Sequence, residues 1–162
     1  MDNQEFLKKG KEKELELINL LKLNQFNESY ECATKDQDIY EHWDFKIVNE
    51  TKIDVKSLRK ISRTDSKVNE NYSWIEILNV HGNKGSLYGD ADVIVFETID
   101  YWIFVKRKKL QEFIEDKCKD KIRTTQSTDA LYKLYSRTDR KDVITQIKTL
   151  DLCFISYKII KK

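Results

Sequence analysis

With 162 residues and a mass of 19.4 kDa, the chain has the size of one compact domain, and we expect 1–162 to fold as a single unit. Aromatic residues make up 11% and charged residues 36% of it, which excludes a disordered chain and predicts a polar surface. The 30 basic residues nearly cancel the 28 acidic ones, so the net charge of +2 identifies no partner. Because there is no run of about 20 apolar residues and no signal peptide, we expect a soluble, cytoplasmic protein with no membrane partner.

Residue counts exclude several common kinds of active site. The three cysteines lie far apart with no Cys-x-x-Cys pair, which argues against a disulfide framework and a zinc site. The two histidines leave few candidates for a Ser-His-Asp triad, and neither of the common glycine-rich phosphate loops occurs. If the chain is an enzyme, its chemistry must therefore be done by carboxylates and lysines.

The first predicted element is an amphipathic helix over Asn3–Leu23. At about 100° per residue, Leu7, Ile18 and Leu21 fall on one apolar stripe. Glu14 lies in the middle of that stripe. A carboxylate on a buried face costs free energy unless a cation, a metal ion or hydrogen bonds compensate it. Glu14 is therefore either a functional residue or a structural acid satisfied by a nearby lysine or serine.

Several strands and one more helix are predicted after this helix. Alternation or apolar runs predict strands at 42–48, 52–58, 74–80, 92–97 and 101–106, with a hairpin turn at 49–51. Gly82, Gly85 and Gly89 predict a turn or mobile loop. Further along the chain we predict a helix at 107–120, short strands at 131–135 and 143–147, and either a helix or an edge element at 150–162. This order is typical of an α/β or α+β domain with a central mixed sheet flanked by helices.

The strongest chemical feature is a pair of adjoining strands that carry Asp44 and the tripeptide Asp54-Val55-Lys56. Because side chains alternate along a strand, Asp54 and Lys56 share one face, about 7 Å apart. A tight hairpin could bring Asp44 beside them, although the sequence leaves the register open. Two carboxylates can hold Mg²⁺ or Mn²⁺, and Lys56 could orient or deprotonate an attacking water and stabilise the transition state. This pattern predicts phosphodiester hydrolysis, and the alternative interpretation is an exposed strand face with a solvated acid at 44.

In chain order, Glu14, Asp44 and Ile53-Asp54-Val55-Lys56 resemble the active-site motif of the PD-(D/E)XK nuclease superfamily. The segments 74–77 and 89–96, with a glycine-bearing loop between them, are similar to the continuation of this motif in phage and plasmid members. Trp43 stands where the proline of the family name would be, which is a common departure.

The resemblance implies a restriction-endonuclease-like fold, in which a central mixed sheet is flanked by helices. It also implies an endonuclease that depends on Mg²⁺ or Mn²⁺. Glu14, Asp44, Asp54 and Lys56 would be its catalytic residues, and the three acids among them would bind the metal ion. Because many relatives dimerise to cut both strands, a homodimer is a further expectation.

The predicted substrate-binding residues are Arg59, Lys60, Arg63 and Glu76. The three basic residues directly follow the motif, where they can contact a phosphate backbone. Glu76 is either a further ligand or substrate contact, or one partner of a structural ion pair. Asp90 and Asp92 also lie near the motif, but acids beside a glycine are more typical of turns.

These residues predict a nuclease that acts on DNA, although the same metal chemistry also serves RNA. The alternative is a catalytically inactive protein of nuclease fold that binds nucleic acid or a protein partner. Asp44, Asp54 and Lys56 favour the enzyme, because a protein that only binds has no need to keep all three.

Overall fold

The computed structural model describes residues 3–23, 29–47, 50–59 and 67–162, and the side chains of its first helix from residue 8 onward. Four residues used in the sequence predictions lie outside this description: the turn residue Asn49, the side chain of Leu7, and the basic residues Lys60 and Arg63.

The described chain contains three α-helices and ten strands. The helices are α1 (Asn3–Leu23), α2 (Arg107–Lys117) and α3 (Thr149–Ile155). The strands are β1 (Tyr30–Cys32), β2 (Phe45–Ile47), β3 (Thr51–Lys56), β4 (Tyr72–Leu78), β5 (Val93–Glu97), β6 (Tyr101–Lys106), β7 (Arg123–Thr124), β8 (Leu134–Tyr135), β9 (Val143–Lys148) and β10 (Lys158–Lys161). Within the described ranges, none of the helices combines the length and the apolar character needed to cross a membrane.

The strands form two mixed sheets. The first has six strands in the order β1-β2-β3-β5-β6-β10, and only its β3–β5 pair is parallel. The second has four strands in the order β4-β9-β8-β7, of which β7 and β8 are parallel. The sequence pattern predicts one central sheet. In the structure, β4 is not part of the six-stranded sheet and pairs with β9 in the second sheet instead. The mixed α+β class is confirmed, but a pairing between segments so far apart in sequence is set by tertiary packing rather than by a local pattern.

Hydrophobic cores cover both faces of the six-stranded sheet. Alternation along β5 places Val93 and Val95 against α1, while Ile94 and Phe96 face α2 and α3. The inner face of the four-stranded sheet packs into this second core. All five residues of β5 are buried, as expected for a strand that is covered on both faces.

Element boundaries differ from the prediction where the backbone interrupts a pattern. The strand predicted at 42–48 begins only at Phe45, because His42 has a positive φ of 57° at the end of one π-helical turn, Gln37–Glu41. The segment 150–162 contains both predicted alternatives in succession, first α3 and then β10. The sequence pattern does not predict β1 or β7, since strands of three and two residues show no periodicity.

Candidate active site

The backbone of Asp44 is held from both sides just before β2 begins. Its N–H donates a hydrogen bond to the carbonyl oxygen of Ile53 on β3, at 2.8 Å. Its own carbonyl oxygen accepts a hydrogen bond from the N–H of Ala33, which follows β1, also at 2.8 Å. These two bonds fix the point from which the Asp44 side chain extends.

The carboxylate of Asp44 lies directly against β3. Its Oδ2 atom accepts a hydrogen bond of 2.6 Å from the backbone N–H of Val55. Val55 is the middle residue of the tripeptide, so this bond brings the Asp44 carboxylate beside both Asp54 and Lys56. The structure therefore resolves the register that the sequence leaves open, and it brings these three residues together.

Asp54 and Lys56 form an ion pair on one face of β3. The Nζ atom of Lys56 lies 2.8 Å from Oδ2 of Asp54, and only 7% of the Asp54 side chain is exposed, compared with 32% for Lys56. Apart from this ion pair, no hydrogen-bond donor in the described chain reaches the buried Oδ2 atom. A further donor or a cation would therefore stabilise the Asp54 carboxylate.

The carboxyl group of Asp44 is held in an environment that disfavours its charged form. Burial, followed by the negative charges of Asp54 and Glu14, raises the pKa of Asp44 to about 8. The Val55 N–H and the Lys56 ammonium favour the carboxylate, but they offset only part of this effect. Near pH 7 the group consequently retains its proton when no additional cation is present.

Lys56 is held in its charged form. Burial alone would lower the pKa of Lys56, but its attraction to Asp54, Asp44 and Glu76 outweighs burial and raises the pKa. An amine with a raised pKa is a poor base at neutral pH. Of the two roles that the sequence leaves open for Lys56, this environment favours charge stabilisation over deprotonation of water.

Glu14 lies on the buried face of α1, as its position on the helical wheel predicts. It is 9% exposed, and its Oε2 atom accepts a hydrogen bond from Nζ of Lys11, one turn earlier, at 2.8 Å. Burial raises the pKa of Glu14; Lys11 opposes the rise, and the charges of Asp38 and Asp54 add to it. The helix thus brings a third carboxylate within electrostatic range of Asp54. The ion pair with Lys11 also fits the alternative interpretation, in which Glu14 is a structural acid satisfied by a nearby lysine.

Glu76 reaches the same region from the other sheet. It lies on β4, and its charge contributes to the raised pKa of Lys56. The chain passes very close behind it, because a Cβ atom added to Gly85 would lie 2.6 Å from the carbonyl oxygen of Glu76 and 2.7 Å from its Cγ. Gly85 is therefore required for this close approach to Glu76.

The remaining predicted residues are not seen to join this group. Arg59 is exposed beyond the end of β3, and Lys60 and Arg63 lie outside the described residues. The Oδ2 atom of Asp92 accepts a hydrogen bond from the Lys52 N–H at 2.9 Å, which ties the start of β5 to β3. Asp92 thus has a structural role, in line with the turn function that its place near Gly89 favours.

Two charged residues near the site are absent from the sequence prediction. Lys11 pairs with Glu14, and its pKa is raised against burial by Glu14, Asp44 and Asp38. Asp38 lies in the π-helical turn that leads to Asp44. Isolated π-helical turns are frequent at functional sites, but nothing in the local sequence indicates this one. The spacing of Lys11 and Glu14, three residues apart on a helix, is the signal that could have identified that pair.

The donor set is suited to a hard divalent cation. Mg²⁺ is commonly held by one or two carboxylates and completed by water, and Asp44 and Asp54 are two adjacent carboxylates that repel one another. No group of three or more Asp, Glu, His or Cys side chains in the described ranges is arranged to hold a metal ion. The residues therefore fit a cation that is held by two carboxylates and by water, rather than one that is surrounded by protein ligands. Glu14 contributes negative charge from the adjacent helix.

Comparison of the chain with protein-family models, with curated proteins and with solved structures finds no match.

Proposed function

We propose that the chain is a metal-dependent endonuclease that hydrolyses phosphodiester bonds of DNA, with a restriction-endonuclease-like arrangement of its six-stranded sheet and helices. The observation that carries this proposal is the hydrogen bond from the Val55 N–H to Asp44, which unites Asp44, Asp54 and Lys56 at one point. The raised pKa of Asp44 supports it, because repelling carboxylates are stabilised by a bound cation.

Asp44 and Asp54 would hold Mg²⁺ or Mn²⁺, and Glu14 would complete the negative surroundings. A divalent ion bound there supplies a water of lowered pKa and neutralises charge on the phosphoryl oxygens. The cluster of acids otherwise repels a polyanionic substrate, so the proposal depends on the presence of a cation at this point.

Lys56 has a separate role in this proposal. Its ammonium, held charged by Asp54, would stabilise the negative charge that develops on the phosphoryl group. Arg59, Lys60 and Arg63 follow in the chain and would contact the substrate backbone, and Glu76 would position Lys56 from the opposite side.

The test is a cleavage assay on single-stranded, duplex and branched DNA and on RNA, with Mg²⁺, Mn²⁺ or a chelator. We expect cleavage that requires the metal ion and that falls at least about 100-fold in Asp54→Asn and in Lys56→Met, because each loses charge stabilisation that acts in the transition state. Lys46→Met is the matched control, since Lys46 lies on the neighbouring strand β2 and pairs with Glu31 rather than with Asp44 or Asp54. Cleavage that both site variants retain would contradict the assignment.

A non-catalytic protein of the same fold is the second candidate. Two observations favour it. No three acidic, histidine or cysteine side chains among the described residues are arranged to hold a metal ion. In addition, the Asp54 carboxylate already forms an ion pair with Lys56. It predicts salt-sensitive binding of nucleic acid, or binding of a protein partner, without metal-dependent cutting on any of the four substrates.

A further inference from the structure

The outer face of the four-stranded sheet carries an aromatic pair. The ring centroids of Trp74 on β4 and Tyr135 on β8 lie 5.8 Å apart, with the ring planes tilted by 35°. Ile75 on β4 and Ile147 on β9 point the other way, into the core. Both rings of the pair are only half-buried. We call Trp74 and Tyr135 the aromatic platform.

The platform adjoins the candidate active site. Glu76 lies two residues beyond Trp74 on β4, on the same face and about 7 Å away along the strand. The register places Glu76 opposite Ile144, and Ile144 opposite Tyr135, so all three lie in one row across the sheet. Glu76 also attracts the Lys56 ammonium, so it is a neighbour of both the platform and the proposed catalytic residues.

Exposed basic residues lie near one end of the strands that carry the platform. Beyond β4 and before β9, they lie on two loops that pack together where Lys141 meets Gly82. These basic residues are Lys84, Arg140 and Lys141, and their charged groups are typical partners of phosphate oxygens.

We propose that the aromatic platform binds an unpaired segment of a nucleic-acid strand, with its bases stacked on Trp74 and Tyr135. This inference rests on the proposed nuclease function and narrows its substrate class to strands whose bases are accessible. In a duplex the faces of the bases are covered by their neighbours, so a partly exposed aromatic pair has nothing to stack on. The exposed residues Lys84, Arg140 and Lys141 supply the charge complementarity that a phosphate backbone needs.

Intrinsic fluorescence provides the test, because the three tryptophans differ in exposure. Trp43 and Trp102 are 1% and 0% exposed, so Trp74 is the tryptophan that a bound base can quench. The wild-type chain, in the presence of a chelator, is titrated with an oligothymidylate and with an abasic oligonucleotide that has the same number of phosphates. We expect quenching by the oligothymidylate and about tenfold tighter binding of it than of the abasic strand. Equal affinity for the two strands would overturn the proposal, and this comparison needs no variant.

Three variants assign the effect to the platform. Trp74→Phe should keep the preference for the strand with bases but lose the quenching, and Trp74→Ala should lose the preference. Phe154→Ala is the matched control, since Phe154 is an aromatic residue on α3 that is 84% exposed and distant in sequence from the platform. Quenching that persists in Trp74→Phe, or a preference that Trp74→Ala retains, would contradict the assignment.

The outcome is distinguishable from that of the nuclease proposal. Base-dependent binding without metal-dependent cutting would support the aromatic platform and contradict the proposed nuclease activity. The opposite outcome is metal-dependent cutting that is equally fast on single-stranded and duplex DNA, together with equal binding of the oligothymidylate and the abasic strand. It would support the nuclease activity and contradict the proposed role of the platform.

Discussion

Asp44 is a carboxyl group that the fold keeps largely protonated near neutral pH. Its pKa is raised to about 8 in the folded chain because burial, Asp54 and Glu14 disfavour the carboxylate. The unfolded chain gives the group its ordinary pKa, so between about pH 4 and pH 8 the folded state binds more protons. The contribution of Asp44 to stability therefore falls as the pH rises through this window.

The substitution Asp44→Asn should stabilise the chain at neutral pH. The amide oxygen can still accept the Val55 hydrogen bond, while the group that must be buried no longer ionises. We expect the free energy of unfolding at pH 8 to rise by about 1–3 kcal/mol, with little difference from wild type near pH 4. Urea denaturation at several pH values measures this difference. If the variant is less stable than wild type at pH 8, the charged carboxylate of Asp44 stabilises the folded chain, which would contradict this prediction.

Among the elements, the close approach of the 79–89 loop to β4 makes a sharp prediction. In Gly85→Ala the new methyl group would lie 2.6 Å from the Glu76 carbonyl oxygen, and backbone cannot move aside as a flexible side chain does. We expect a loss of about 1–3 kcal/mol in stability. We also expect reduced metal-dependent cleavage, because β4 and Glu76, whose charge acts on Lys56, must shift. Thermal denaturation and the cleavage assay measure the two effects.

Gly10→Ala is the matched control for that substitution. Gly10 lies within α1, and an added Cβ atom would meet no described atom within 4 Å. Alanine should stabilise the helix there by about 1 kcal/mol, so the same chemical change has opposite signs at the two positions. A Gly85→Ala variant as stable as Gly10→Ala would contradict the requirement for glycine at position 85.

Elements with a clear period were predictable from the sequence, and those fixed by distant partners were not. The period of 3.6 predicts α1, and the stripe correctly places Glu14 on its buried face. Alternation and apolar runs predict β3, β5 and β6 to within a few residues. The pattern does not indicate that β4 joins β9 in a second sheet, since pairing depends on contacts across the whole chain. Gly85 and Gly89, which suggest a flexible loop, are instead buried at close contacts.

At the scale of the whole molecule, Glu97 links segments that are distant in sequence. Its carboxylate is 5% exposed and lies 2.9 Å from Lys13 Nζ on α1 and 2.5 Å from Lys162 Nζ, beyond β10. It also accepts a hydrogen bond from the N–H of Leu58, just after the strand that carries Asp54 and Lys56. Burial favours the neutral form, but these donors outweigh it and lower the pKa of Glu97.

The substitution Glu97→Gln should therefore destabilise the whole chain. We expect a loss of about 1–3 kcal/mol at pH 7, because two cations lose their common partner. The loss should shrink as the pH falls below the ordinary pKa of a glutamate, where the unfolded state takes up a proton more readily than the folded state. Chemical denaturation measures it, with Glu112→Gln on the exposed side of α2 as the control. A loss that does not change between pH 7 and pH 3 would contradict the charged role of Glu97.

The candidate site was predictable in its residues but not in its geometry. The alternation of β3 places Asp54 and Lys56 on one face, and the order of acids along the chain singles out Asp44 and Glu14. The contact between Asp44 and Val55 depends on β1 and on the π-helical turn. The local sequence of neither element has a periodic pattern from which it could be predicted. Glu76 reaches Lys56 only because a second sheet packs beside the first.

The proposed function requires that Asp44 and Asp54 bind a divalent cation beside Lys56. Soaking crystals of the chain in Mn²⁺ tests this requirement without an assay of activity, because manganese is located by its anomalous scattering. We expect a manganese peak in contact with carboxylate oxygens of both aspartates, and no peak there in Asp54→Asn. If no peak forms at these aspartates in the wild-type chain, at a concentration of Mn²⁺ that occupies other surface acids, the proposed metal site is wrong.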